Sequence, residues 1–476
     1  MNSVAKALSL HGLKRRALSL GAVKAVDHAL QFLLPVILVR CLDTATFGEY
    51  RLVWLAIGTL MAIVTLNMCG SLYLFVPRAE PHRKRVYVNN TMVYLAGVGV
   101  LCALAVSPWN PLLPAPMQPL APYGMLVPAF VALWLGSYLL EFLPTVEERI
   151  AWQAYATLGI ALARALVVGA GAWATGDLEV ILWLLIAVVL IKLAVLLYYV
   201  HRHHGLGRPW FERAAFVEHF RQAAPFGVSG MLFQLRSQAD QWVAAALFAL
   251  SSFAAFSIAA IVGQVVHIFR HSVMEAFLPT MSRMEAAGDV HGMLELNRRA
   301  NVMVGTALLP LLAVAFVFAE DIVTIIYTAS YLEAAPVMRV YIVGMAAMVI
   351  EIGSIVLLLR QGPFALKMTG AALVVSVVVS WSAAQAFGLA GAAAGSVLGV
   401  YMDRTFMLRR VSHLTGVAVR HLQDWRGLGW VLGTAIVSGG LAWSLTPDTT
   451  PFLRLVSGSA ILGAAYFALN WRRILR

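Results

Sequence analysis

Fourteen apolar stretches, most of them about twenty residues long, follow one another along this chain with only short polar connections between them. They lie near 18–40, 52–76, 87–107, 123–143, 154–174, 180–200, 223–250, 253–275, 298–319, 334–359, 364–384, 387–408, 427–446 and 453–471. A helix of about 20 residues crosses the ~30 Å hydrocarbon core of a bilayer. In hydrocarbon every backbone N–H and C=O must pair within the protein, which leaves helices or closed barrels. Stretches of this length predict an all-α polytopic membrane protein. Composition agrees: 61% of the 476 residues are hydrophobic and 12% charged, against about 45–50% and 25% in soluble domains. The splits within 223–275 and 364–408 rest on very short connections. Lys6, Lys14, Arg15 and Arg16 precede the first stretch with no small-residue cleavage pattern after it, so that helix is expected to be its own insertion signal.

The charges give an orientation. With the N-terminus inside, 26 of the 35 Lys and Arg residues fall in cytoplasmic segments and 5 within spans (Lys24, Arg164, Lys192, Arg236, Arg270). Only Arg40, Arg51, Arg339 and Arg454 fall outside. This asymmetry predicts both termini in the cytoplasm. It also absorbs most of the formal charge of +12, which in a soluble chain would point to nucleic acid. Anionic inner-leaflet lipids are the expected partner instead.

Several activities are disfavoured. The outer connections are short, and residues 108–122 are proline-rich and uncharged, whereas a membrane polymerase or ligase needs aqueous chemistry at one face. No phosphate-binding G-x-x-x-x-G-K-[ST] loop, H-E-x-x-H or Cys/His cluster occurs, so no cofactor or metal is expected. Cys41, Cys69 and Cys102 are scattered through apolar stretches with no disulfide or metal spacing. A carrier rather than an enzyme is the expectation.

Polar residues within spans are costly and therefore functional candidates. In the first stretch Lys24, Asp27, His28, Gln31 and Pro35 share one stripe, which lines either a wet cavity or an internally satisfied seam. In the seventh, Gln234, Ser237, Gln238 and Gln241 share a face, with Arg236 and Asp240 four residues apart beside it. Arg236 is either neutralised by Asp240 or offered to an anion. The eighth carries Gln264, His267, His271 and Glu275 on a stripe beside Arg270, toward its cytoplasmic end. Arg164 has no acid one turn away, so its partner must come from another helix or a ligand. Glu351 is a deep carboxylate without a local cation, expected to pair with Arg164 or Arg236 or to serve in proton coupling. Glu141 and Asp403 are expected to be solvated at cytoplasmic ends. A cavity so rich in cations suits a phosphate or diphosphate. Lys24, Arg164, Arg236, Arg270, Gln31 and Gln238 are the candidates for it. Asp27, His28, Asp240 and Glu351 are the candidates for ion coupling or charge balance.

The halves resemble each other weakly. Phe47–Gly58 (FGEYRLVWLAIG) and Phe253–Gly263 (FAAFSIAAIVG) are about 206 residues apart, each after a polar-striped helix. A parallel repeat of six helices is expected: residues 1–210, then 211–412, then an added helix pair at 413–476.

The segments Leu38–Gly58 (LVRCLDTATFGEYRLVWLAIG) and Leu66–Arg78 (LNMCGSLYLFVPR) resemble the start of the polysaccharide transporter family. So, in order, do Phe277–Asn301 (FLPTMSRMEAAGDVHGMLELNRRAN), Glu320–Gly344 and Phe387–Tyr401. That family belongs to the multidrug/oligosaccharidyl-lipid/polysaccharide (MOP) flippase superfamily. The resemblance implies two six-helix lobes in a V, alternately open inward and outward. It implies transport of undecaprenyl-diphosphate-linked oligosaccharide repeat units for O-antigen, capsule or exopolysaccharide, coupled to H+ or Na+, alongside polymerase and export proteins. A lipid II flippase and a multidrug/cation antiporter of the same superfamily are the alternatives, with a polymerase or ligase behind them. The sequence departs from the family at Thr44-Ala45-Thr46, where a Gly-Pro or Pro-Glu turn is usual, and in having Arg236 beside the expected aspartate.

Overall fold

The computed structural model describes residues 29–30, 32–205 and 207–474, without the side chains of 262, 264–265, 267–269, 271–272, 275 and 472–474. Among the described residues all regular secondary structure is helical, with no strand. Among the described residues each expected span meets a helix, the first of them only at residues 29–30 and 32–40. In chain order these are α1 Phe32–Cys41, α2 Thr44–Val64, α3 Pro81–Ala105, α4 Leu126–Gly136, α5 Ile150–Thr175, α6 Leu178–His204 and α7 Arg213–Leu247. Then come α8 Leu250–Ala286, α9 Val290–Val317, α10 Ala334–Met348, α11 Gly362–Ala392, α12 Ala394–Thr415, α13 Trp425–Leu445 and α14 Pro451–Ile474.

Among the described residues, eight helices are long and apolar enough to cross a membrane. They become nine if Ala115–Tyr123 and α4, bent by 100°, count as one span. Helices outside that set are short, or they carry polar residues at intramembrane positions. In α7, Gln234, Arg236, Gln238, Asp240 and Gln241 displace apolar residues; in α12, Asp403 and Arg404 do. Trp173 (83% exposed), Trp443 (71%) and Leu166 (70%) face outward from the protein, as lipid-facing side chains do.

The breaks have identifiable causes. Asp43 caps α2, its carboxylate accepting from the amides of Ala45 (2.9 Å) and Thr46 (3.1 Å) and from the Thr46 hydroxyl (2.5 Å). The hydroxyl of Thr46 above all holds the Asp43 carboxyl below its ordinary range. The Thr44-Ala45-Thr46 departure is thus a helix start of the Asp-cap kind. The second expected span divides at Leu66 and Asn67, both left-handed (φ 42° and 59°), before a short helix Met68–Phe75. The expected break between the eleventh and twelfth spans appears as a kink at Gly388, φ 65°, a backbone angle that only glycine adopts at low cost.

The chain forms two compact units, Met1–Gln234 and Leu235–Arg476. In the first, α6 packs on α4 and α5, and α3 on α4. A core of Leu72, Val88, Leu95, Leu139, Leu143 and Tyr199 joins α3, α6 and the short helices between them. In the second, α12 lies against α11 and α10, and α13 against α9 and α14. Its core is methionine-rich (Met274, Met281, Met293, Met407) with Ile352, Ile355 and Val411. Between helices in lipid, close packing and polar contacts replace the hydrophobic effect as the cohesive force. The return from α11 to α12 shows this: a Cβ on Gly395 would stand 2.1 Å from the Ser376 carbonyl oxygen and 2.3 Å from the Ser380 hydroxyl.

Candidate functional site

Lys24, Asp27, His28 and Gln31, the polar members of the first stripe, lie outside the described residues. The side chains of Gln264, His267, His271 and Glu275 lie outside them too.

In the first unit the candidate is Arg164 on α5. Its guanidinium carbon sits 5.8 Å from the centre of the Trp54 ring of α2, within the reach of a cation–π contact. Its partner does come from another helix, but through an aromatic face. Trp54 meets Trp134 (5.0 Å) and Phe130 (5.7 Å), both edge-on. Trp134 in turn lies 4.5 Å from the ammonium of Lys192. Lys192, only 6% exposed, is paired with Glu141 at 2.5 Å. Two cations therefore flank one pair of tryptophans. Glu141 is 43% exposed, in line with its expected solvation, and it also pairs with the lysine in the middle of α6. This pair was visible as two charges in or beside apolar stretches. Their meeting across helices was not.

In the second unit Asp240 is buried, 1% exposed. It accepts hydrogen bonds from the Tyr341 hydroxyl (2.7 Å) and the Gln241 amide (2.8 Å). Arg236, one turn before it, is half-buried beside α12: a Cβ on Gly399 would lie 4.0 Å from its Nη1. The carboxylate whose charge bears most on Arg236 is Asp403, with the Arg404 charge opposing. Gln238 is half-buried on α7. Asp403 was expected to be solvated and is instead 7% exposed, because α12 turns it toward the arginines.

For Glu351 the structure shows a cation other than the two expected. Its carboxylate lies 3.7 Å from Arg270 of α8. It also sits at a break: α10 ends at Met348 and a short helix runs Gly353–Leu358. A broken helix at this depth leaves backbone groups to be satisfied, and two asparagines on one face of α9 satisfy them. Asn301 receives the Glu351 amide on Oδ1 (3.1 Å) and donates back to the Glu351 carbonyl (3.1 Å). Asn297 donates to the same carbonyl (2.9 Å). Gln423, before α13, joins both asparagines at 2.9 and 3.2 Å. Asn297 and Asn301, i and i+4 in an apolar helix, were the sequence signal for this network and were overlooked.

Among the described residues no group of three or more His, Cys, Asp and Glu could hold a metal ion. Among the described residues the arrangement is one of cations set among apolar helices, Lys192 and Arg270 each beside a carboxylate and Arg164 over an aromatic ring, an arrangement suited to holding an anion.

The protein-family model described as lipid II flippase MurJ matches residues 154–446, and that described as polysaccharide biosynthesis protein matches residues 13–285. Each span exceeds half of the chain. No curated protein matches it. Among solved structures, a lipid II flippase MurJ in an inward closed conformation superposes with a TM-score of 0.73 at 11% identity, covering 96% of this chain and 99% of that one. An inward-facing multidrug resistance MATE family transporter gives 0.58 at 13% identity, covering 82% and 96%. A MOP superfamily transporter from Pyrococcus furiosus gives 0.53 at 12%, covering 84% and 96%. At these identities the structures speak for the fold, and the two matching models speak for the family. The chain is a multi-pass membrane protein that belongs to the MOP flippase superfamily, matched there by both its MurJ and its polysaccharide biosynthesis families.

Proposed function

We propose that this flippase moves undecaprenyl-diphosphate-linked oligosaccharide repeat units from the inner to the outer leaflet of the bacterial cytoplasmic membrane, for O-antigen, capsule or exopolysaccharide assembly. The observation that carries it is the set of cations buried or half-buried among apolar helices: Arg164 and Lys192 in the first unit, Arg236 and Arg270 in the second. A diphosphate is the substrate group that such cations favour. The polysaccharide biosynthesis match over residues 13–285 supports the polysaccharide branch.

In this reading the polyprenyl tail stays in the bilayer while the head group passes by alternating access. The two six-helix repeats, residues 1–210 and 211–412, alternate, and the pair at 413–476 is an addition. Lys24, Gln31, Arg164, Arg236, Gln238 and Arg270 receive the head group. Asp27, His28, Asp240 and Glu351 balance charge or couple an ion. Both termini are cytoplasmic, the chain performs no catalysis, and polymerase and export proteins take over the product. Lipid II is the second reading, favoured by the MurJ match over residues 154–446 and the end-to-end MurJ-like fold.

Deleting the gene in its host and locating the lipid-linked intermediate separates these. Repeat units accumulating on the inner leaflet, with no polymer outside and rescue by the intact gene, support the proposal. Accumulated lipid II supports the second reading. Repeat units that reach the outer leaflet unjoined would overturn both. Arg164→Ala and Arg236→Ala are each expected to stop export while the protein still inserts, and normal export in both would sink the site assignment.

A further inference from the structure

Two tryptophans of the first unit sit away from the interfacial depth at which tryptophan usually lies in a membrane protein. Trp54 is midway along α2, and Trp134 is midway along the fourth expected span. Both are half-buried. Their rings meet edge-on at 5.0 Å and 86°, and Phe130, one turn before Trp134, lies 5.7 Å from each. The indole N–H of Trp134 points to the Met61 sulfur at 3.1 Å, which pins that ring. The flank these rings leave open is not a lipid face. Arg164, midway along α5, and Lys192, midway along α6, lie 5.8 Å from the Trp54 ring centre and 4.5 Å from that of Trp134. Charges at that depth avoid hydrocarbon. Arg164 is itself only half-buried and makes no hydrogen bond with a described residue. Glu141, which holds Lys192 at 2.5 Å, is 43% exposed. Aromatic surface, open donors and an open acceptor therefore share one place.

Building on the proposed flippase function, we propose that Trp54 and Trp134 form a platform for an uncharged sugar ring of the substrate's head group, with Arg164 and Glu141 at its rim as partners for the hydroxyls. A pyranose has a face of C–H groups, weakly positive, and a rim of hydroxyls. The C–H face suits the negative π face of an aromatic ring, and the apolar area covered there leaves water. Because the two indoles meet edge-on, they do not consume each other's faces by stacking. The hydroxyls each need both a donor and an acceptor. A guanidinium supplies donors alone and a carboxylate acceptors alone, so Arg164 and Glu141 together do what neither can do singly. Glu141 also decides between ligand classes at this place. An exposed carboxylate repels an anion and welcomes a hydroxyl. Lys192, 6% exposed and taken up by Glu141, positions that acceptor rather than meeting the sugar.

The test titrates oligosaccharides released from the host's own exported polysaccharide, free of lipid and phosphate, into the full chain in phosphatidylcholine nanodiscs. Saturable binding is expected. Trp54→Leu and Trp134→Leu are each expected to weaken it by about ten-fold or more. Trp54→Phe keeps a smaller ring and is expected to lie between the wild type and Trp54→Leu, an order that a general loss of fold would not produce. Trp109→Leu, at a tryptophan 76% exposed on the outer connection, is expected to change nothing. Vesicle transfer gives a second readout: the rate for sugar-bearing over sugar-free undecaprenyl diphosphate is expected to fall in Trp54→Leu by a similar factor. No binding to the wild type, wild-type affinity in both Leu variants, or an unchanged transfer ratio overturns the proposal. If binding needs both tryptophans but the protein flips no lipid-linked sugar, the platform stands and the proposed function falls.

Discussion

At the scale of single residues, the protein's buried charges divide by what each would lose alone. Lys192 is nearly sealed while Glu141 is 43% exposed. Removing the acid strands a buried ammonium; removing the lysine leaves a carboxylate that is still half in contact with its surroundings. We expect Glu141→Gln to destabilise by about 3 kcal/mol and Lys192→Met by much less. The double variant should fall near Lys192→Met. Thermal unfolding of the four proteins in detergent checks the order, and equal losses in both single variants would contradict the pairing. Asn301 is a second case: it satisfies the backbone at Glu351 on both sides. Asn301→Ala leaves those groups bare and is expected to cost roughly 2–3 kcal/mol, whereas Asn301→Gln retains part of the network. The sequence exposed these polar residues, because any charge or amide in an apolar stretch stands out. It could not disclose their partners, since Arg270 with Glu351 and Lys192 with Glu141 join helices far apart in the chain.

Helical elements are where the expected spans and the structure differ most usefully. The expected span at 334–359 is two helices with a break at Glu351, and that break creates the site. The connection from α6 to α7 is another feature that hydropathy does not reveal. Two buried asparagines of α3 fasten it within the first unit. Asn90 exchanges two hydrogen bonds with the Glu212 backbone, at 2.9 and 3.0 Å, and Asn89 donates to the Pro209 carbonyl at 3.0 Å. At the start of α7, Ser71 meets the His219 ring at 2.6 Å. Asn90→Ala is expected to release this segment, and faster amide exchange confined to residues 205–222 is its measurement. Unchanged exchange there would show that the asparagine does not anchor the connection.

Outside the spans, Glu147 pairs with His204 at 2.8 Å and accepts from the Tyr199 hydroxyl. Burial alone would raise its pKa, but these two partners and Arg149 outweigh burial and hold the carboxyl below the ordinary 4.5. A depressed carboxyl stabilises the fold fully above its unfolded pKa, and that stability is lost as pH falls through the folded value. The stability gap between the wild type and Glu147→Gln should therefore close as pH falls below about 4.5. A gap that widens in acid would contradict the assignment.

For the molecule as a whole, an all-helical membrane protein with the expected succession of spans was legible in the sequence, because hydrocarbon leaves the backbone so few options. The positive arginines on the expected outer side also find local reasons in the structure. Arg339 pairs with Glu320 at 3.1 Å, and Arg454 lies 3.4 Å from Asp448 and 3.8 Å from Asp321. Burial raises the Asp321 carboxyl above its ordinary range, against the pull of Arg454. What the substrate is was far less legible. Cations buried among apolar helices specify a class of anion, and the sugar is recognised by contacts that vary without changing hydropathy.

The central claim is that this protein carries a diphosphate-linked sugar across a bilayer. The most direct measurement reconstitutes the purified chain in sealed vesicles with a fluorescent undecaprenyl-diphosphate oligosaccharide on one leaflet and follows its arrival on the other. The account predicts transfer well above that of protein-free vesicles, strongly reduced by Arg270→Gln. Transfer equal to that of empty vesicles under both imposed H+ and Na+ gradients, from protein shown to be folded, would contradict it.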